Sequence, residues 1–120
     1  VPVELDTRQA LALWRAALVD GVRQAGPDLT ARQLALLLTV YLGGGPHTVR
    51  GLAAELNVSK PAITRALDRL GRLGLLRRKR DEADRRNVLV ERTVKGSVFL
   101  NDLGERIAAA ARALDGASPG

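Results

Sequence analysis

Residues 59 to 93, SKPAITRALDRLGRLGLLRRKRDEADRRNVLVERT, hold eleven Lys/Arg against five Asp/Glu, a net charge of +6 that equals the formal charge of the whole 120-residue chain. The rest of the chain carries eight basic and eight acidic side chains, so the excess sits in one stretch. Such a concentration of cations suits a polyanion. Sixteen of the nineteen basic residues are Arg, whose planar guanidinium makes two-point contacts with phosphate and guanine edges. Codon bias produces an Arg- and Ala-rich composition equally well, so residue type alone does not decide. Other chemistry is poorly provided for: no nucleophile–base pair, carboxylate pair or metal cluster stands out, and the expectation is that the chain is not an enzyme.

Without cysteine, disulfides, thiolate metal sites and thiol-based sensing are excluded. His47 is the single histidine and has no acidic or cysteine neighbour at ligand spacing, so it reads as a surface loop residue; neither a metal nor a cofactor is expected. Gly43-Gly44-Gly45 lacks the following Lys-Ser/Thr of a phosphate loop and reads as a connector. Three aromatic residues give little surface for stacking single-stranded bases.

These residues need a scaffold, and the chain is long enough for one domain with its own core. Its usage, 46% apolar and 27% charged, is ordinary for a folded chain. No apolar run approaches the ~20 residues that cross a bilayer, and VPVELDTRQ lacks the regions of a signal peptide, so a cytoplasmic protein without membrane partners is expected.

Apolar residues Ala10, Leu11, Trp14, Leu18, Val22 and Ala25 recur at helical spacing and predict a helix over 5–25, ended by Gly26-Pro27. Thr30 caps a second helix, 30–43, with Leu34, Leu37, Leu38, Tyr41 and Leu42 as its buried stripe. Thr48 caps a third, 48–56, with Val49, Leu52, Ala53 and Leu56 inward, and Asn57-Val58 turns the chain into a fourth, 59–73, capped by Ser59 with Pro61 in its first turn. Ile63, Ala66, Leu67 and Leu70 pack inward there, which presents Lys60, Pro61, Thr64, Arg65 and Asp68 on the opposite face with Arg69 and Arg72 on its flanks. Gly74 caps its end. Strand-like runs 75–80 and 88–92 flank the polar turn DEADRRN, forming a two- or three-stranded wing over 75–92. Thr93 caps a last helix, 93–114, where Gly96, Leu100, Leu103, Ile107, Ala110 and Leu114 step by four and three residues, a heptad seam fit for a homodimer or for packing on Leu13, Trp14 and Leu18 of the same chain. Residues 116–120, GASPG, read as a frayed tail.

The fold expected is therefore α+β, mainly α: a winged helix-turn-helix over 30–92 between two terminal helices, in one domain. Two helices and a short turn place the second helix in a major groove of double-stranded DNA, and the basic hairpin downstream sharpens that assignment.

At this point the sequence resembles the MarR family of bacterial transcriptional regulators, over roughly 30–114. The likeness rests on LTARQLALLLTVYLGGGPHTVRGLAAELNVSKPAITRALDRLGRLGLLRRKR, on the wing segment DEADRRNVLVERTVKG, and on the terminal helices, which in such proteins intertwine across a dimer axis. It implies that Ser59, Lys60, Pro61, Thr64 and Arg65 approach the major groove, that Arg86 with Arg85 beside it reaches a minor groove, and that Asp84 steadies neighbouring arginines. Asp68 is expected to do the same for Arg72 or a wing arginine. Leu100, Leu103, Ile107 and Leu114 would form the dimer seam. Trp14 and Tyr41 would line a cleft for a small-molecule effector or simply pack in the core. Two departures stand out. Arg92 replaces the apolar residue usual before the Thr of the wing segment, predicting a more exposed strand end or an extra ion pair, and the terminal helices are short. The function expected is repression of transcription by a homodimer on a pseudo-palindromic operator; a protein-interaction adaptor and a nonspecific architectural DNA binder remain alternatives.

Overall fold

The computed structural model of this chain describes residues 4–116. Its elements run α1 (Thr7–Arg23), α2 (Ala31–Leu42), β1 (His47–Thr48), α3 (Val49–Leu56), α4 (Lys60–Arg72), β2 (Leu76–Arg80), β3 (Val88–Arg92) and α5 (Val94–Gly116). They form a winged helix-turn-helix with flanking terminal helices, the α+β class expected. The helices start where the caps predict: Thr30 Oγ1 accepts from Gln33 N, Thr48 Oγ1 from Gly51 N, Ser59 Oγ from Ala62 N and Thr93 Oγ1 from Gly96 N. Each such bond satisfies an otherwise orphaned amide and contributes ~0.5–2 kcal/mol. Asp6 also caps α1, in a reciprocal box with Gln9 that the sequence reading missed.

The unit Leu29–Leu100 holds a continuous core. Leu36, Leu37 and Val40 of α2 meet Val49 and Leu52 of α3, Ile63, Ala66, Leu67 and Leu70 of α4, and Leu75, Leu76 and Val90 from the wing's root. Burying side chains of this size stabilises by ~1.5–3 kcal/mol each. On α2 the predicted stripe is displaced: Leu36 and Val40 are buried, while Leu42 is 82% exposed. The run LALLLTVYL is apolar on nearly every side, so periodicity could not fix its inward face.

Between α3 and α4, Asn57 adopts the left-handed conformation (φ 54, ψ 46) that Asn tolerates better than most residues, and Val58 N–H returns to the Ala53 carbonyl. At the other end of α4, Leu73 is the cap, one position earlier than the expected Gly74, and Gly74 follows it at φ 76. Gly74 N–H bonds the Gly71 carbonyl and Leu75 N–H the Leu70 carbonyl, the paired closure that a left-handed glycine permits. The sheet order is β1-β3-β2, all antiparallel, with His47 opposite Val90 and Leu76 opposite Arg92. His47 thus lies in a short strand, not in a loop. It is half-buried, with Nε2 3.3 Å from the Gly43 carbonyl.

The second unit is built from Val1–Asp28 and Asn101–Gly120. Within it Arg106 of α5 pairs with Asp20 of α1. No residue of α1 is buried; Leu11, Trp14, Leu18 and Val22 are 65%, 58%, 50% and 78% exposed. Gly116 closes α5, so the first residue of the tail expected at 116–120 is helical, and the rest lies outside the described residues. Among the described residues no helix is long and apolar enough to cross a membrane.

Candidate nucleic-acid interface

The buried residues Ala62, Ile63, Ala66, Leu67 and Leu70 occupy one side of α4 and turn the other outward. Ser59, Lys60, Pro61 and Arg65 are exposed at its start, Thr64 and Asp68 half-exposed behind them. Two clefts flank this face. One, of about 180 Å³, runs between α4 and the wing and is lined by Arg50, Lys60, Thr64, Arg78, Arg86, Asn87 and two valines. Four cations and no carboxylate line it, so it offers a phosphate backbone donors from three elements. The other, about 420 Å³, lies against the start of α2 and is lined by Thr30, Arg32, Gln33, Ala62, Arg65 and Ala66. Lys60 and Thr64 therefore serve the wing side of α4, and Arg65 the α2 side.

The wing carries its charge on two faces because side chains alternate along a strand. Arg78 and Arg80 share a face with buried Leu76, whereas Arg77 and Lys79 point the other way. On that back face Arg77 pairs with Glu91 directly across the ladder at 3.2 Å. On the α4 side, Arg78 Nη2 reaches Asp68 Oδ1 at 2.6 Å. Both partners are more than a third exposed, so the pair adds at most ~1 kcal/mol; its main effect is to hold Arg78 beside α4.

At the wing tip Asp84 Oδ1 accepts Arg86 Nε (3.0 Å) and backbone N (3.1 Å), and Oδ2 accepts Arg86 Nη2 (3.1 Å). This fork holds the Asp84 carboxyl below its usual range, chiefly through the Arg86 side chain, then through its amide and the nearby charge of Arg50. The same bond raises the Arg86 guanidinium. Arg86 stays 85% exposed, a cation fixed in direction yet open to solvent. Arg85 is exposed beside it. Arg69 is half-buried and Arg72 exposed on the flanks of α4.

The remaining predicted residues fall elsewhere. Tyr41 is half-buried at the wing's root, its hydroxyl held by Thr93 and Leu75 backbone, and Trp14 is exposed on α1; neither lines the clefts beside α4. Of the seam on α5, Gly96 is buried and Leu100 packs on the winged core, while Leu103, Ile107 and Leu114 are half-buried in the helical unit. Among the described residues of that unit, the large apolar side chains most exposed to solvent are on α1. Arg92 is exposed, as its departure predicted, but its resolved partners are the Val40 and Gly43 carbonyls instead of a carboxylate.

Sequence reasoning missed Arg32 and Arg50. A signal was present: both stand two residues after a capping threonine, in LTAR and HTVR, so the first turn of each helix carries a cation outward.

The MarR family model matches residues 28–87, half of the chain. The chain is 33% identical over 79 residues to the HTH-type transcriptional regulator PecS of Dickeya dadantii (strain 3937), a match covering 64% of this chain and 48% of PecS; it thus spans about half the length of that curated relative. Among solved structures, transcriptional regulator Tm0710 from Thermotoga maritima superposes with a TM-score of 0.71 at 27% identity, over 93% of this chain and 80% of that one. A mutant MarR from E. coli complexed with operator DNA gives 0.66 at 25% identity, over 88% and 69%.

Proposed function

We propose that this chain, which belongs to the MarR family, binds double-stranded DNA in a sequence-dependent way and regulates transcription, acting as a homodimer. The observation that carries the reading is the solvent-open face of α4 with cations on both sides of it: Arg50, Lys60, Arg78 and Arg86 toward the wing, Arg32 and Arg65 toward α2. In this reading Ser59, Lys60, Pro61, Thr64 and Arg65 enter a major groove, Arg69 flanks them, and Arg85 and Arg86 reach the adjoining minor groove. Asp84 and Asp68 aim arginines and touch no DNA, since a bare carboxylate would be repelled by phosphate. The related mutant MarR complexed with operator DNA supports the DNA-binding reading.

A single module reads too few base pairs to be selective, and the uncovered stripe on α1 supports a second copy. Leu11, Trp14 and Leu18 of α1, with Leu103, Ile107 and Leu114 of α5, would form the interface. Two recognition helices would then stand about 34–36 Å apart and read an inverted repeat on one face of the duplex. Occupying a promoter in this way blocks polymerase, the simplest route to repression, and requires a cytoplasmic location.

Selection from a random duplex library at near-physiological salt tests the reading. Wild type should enrich an inverted repeat with half-sites about one helical turn apart, and Arg65→Ala should change that consensus. Retention without any consensus would reduce the interface to a phosphate-binding face. An identical consensus from Arg65→Ala would remove that residue from base reading.

A further inference from the structure

A polar network lies at the root of the wing. Tyr41, in the last turn of α2, holds both ends of the hairpin through one hydroxyl. Its Oη accepts Thr93 N–H at 2.8 Å and lies 2.7 Å from the Thr93 carbonyl and 3.2 Å from the Leu75 carbonyl, its proton shared between those two acceptors. Leu75 immediately precedes β2 and Thr93 immediately follows β3. Thr93 Oγ1 donates to the Gly74 carbonyl at 2.7 Å, tying the same two ends side chain to backbone. Arg92, the last residue of β3, donates Nε to the Val40 carbonyl (3.2 Å) and Nη2 to the Gly43 carbonyl (3.3 Å), with its guanidinium 5.7 Å from the centre of the Tyr41 ring. These carbonyls belong to the end of α2, where helix geometry leaves acceptors without partners and the dipole favours a cation. Gly96 completes the fit, because a Cβ there would overlap Tyr41 Oη and the Leu75 carbonyl.

We infer that Tyr41 and Arg92 are positioning residues: together they set the angle at which the wing stands against the helix-turn-helix, and so govern DNA affinity through Arg86 without touching DNA. The inference rests on the DNA-binding reading above. Leu76 and Val90 bury the root's inner face through non-directional contact, while the two-residue pairing of β1 with β3 and the exposed Arg78–Asp68 pair hold the hairpin along one edge and at one point. Directional bonds to two carbonyls at the end of α2 and to both hairpin ends fix its tilt. Leverage makes the angle matter. From the Leu76–Arg92 pair to the Arg80–Val88 pair and the tip beyond, the ladder extends roughly 17 Å. A tilt of ~10° at the root therefore moves Arg86 by about 3 Å, a whole hydrogen-bond length. The departure at Arg92 thus has a use: it replaces an apolar plug with a two-point clamp.

The test measures affinity for the selected duplex by fluorescence anisotropy across a salt series, below the melting temperature of every variant. Tyr41→Phe and Arg92→Ala should each weaken binding roughly five- to tenfold, with a slope of log affinity against log salt that falls no further than it does in Arg86→Ala. Arg86→Ala should lower that slope by about one phosphate contact. In an Arg86→Ala background the loss from Tyr41→Phe should shrink to less than about twofold, whereas in an Arg65→Ala background it should persist in full. Unchanged affinity in both single variants overturns the inference. So does a salt slope that Arg92→Ala lowers further in the Arg86→Ala background, which would make Arg92 a direct phosphate contact, or an equal loss with and without Arg86, which would make the joint merely structural. If Tyr41→Phe fails to fold, Arg92→Ala, altered at an exposed side chain, carries the same comparison alone. Failure of wild type to bind any duplex would sink the DNA reading and this inference with it; binding by wild type with unaltered variants would sink the joint only.

Discussion

The winged unit and the helical unit spend the same kinds of residue to opposite ends. In the winged unit Leu, Ile and Val from three helices and two strands close on one another, and its core leucines are almost completely hidden. In the helical unit α1 carries six large apolar side chains, yet buries none of them, and Trp14 stands more than half exposed. An exposed stripe of this size on a folded chain marks a surface that something else covers. One unit is complete within a chain, and in the proposed dimer the other is finished by a second copy.

The sharpest way to break this contrast is to cut each side in turn. Leu67→Ala opens a cavity in the winged core and should cost ~2–5 kcal/mol in urea unfolding, whereas Leu11→Ala should change the winged unit's stability by less than ~0.5 kcal/mol. Equal losses would show that α1 belongs to the same core. Next, Trp14→Ala should weaken self-association by ~2 kcal/mol or more, read by sedimentation, with the winged unit's circular dichroism unchanged. On the DNA side, Arg86→Ala should cost ~1–3 kcal/mol of operator affinity; undiminished binding by the folded variant would take the wing tip out of the site. Ser59→Ala removes the α4 cap and should cost about 1 kcal/mol of stability, with little effect on self-association.

The smallest effect is titration of the wing tip. Asp84 is held below its ordinary value of 3.8, so its ion pair contributes above that value and is lost as pH falls through the lower folded value. The Arg86 side-chain Nε–H signal in NMR should therefore stay unaltered from neutral pH to ~pH 5 and change only under more acidic conditions. A midpoint at or above 3.8, or a signal that never responds to acid, would mean that the Asp84 fork does not hold.

Local signals carried most of the winged unit. The capping threonines and Ser59 fixed where its helices begin, Pro61 and Gly74 bounded α4, and the inward residues of α4 followed from strict periodicity. Legibility failed where the pattern was degenerate. On α2 an apolar run gave no unique face, so Leu42 was placed inside and Val40 was not. His47 was lost to a loop because a two-residue strand has no alternation to detect. Arg92 exposed a different limit: a departure from the expected residue type could be seen, but its partners are backbone carbonyls forty-nine and fifty-two residues away, which no local window contains. Likewise the split of α4's cations into two clefts depends on packing between elements, and Arg32 and Arg50 lay outside the stretch whose net charge drew attention.

The most direct test of the contrast between the two units is sedimentation equilibrium of the purified protein at micromolar concentration, without DNA. A reversible dimer that falls to monomer on Trp14→Ala, with the winged unit still folded, is the predicted result. A folded wild-type monomer across the whole concentration range, its α1 stripe left in water, would contradict it.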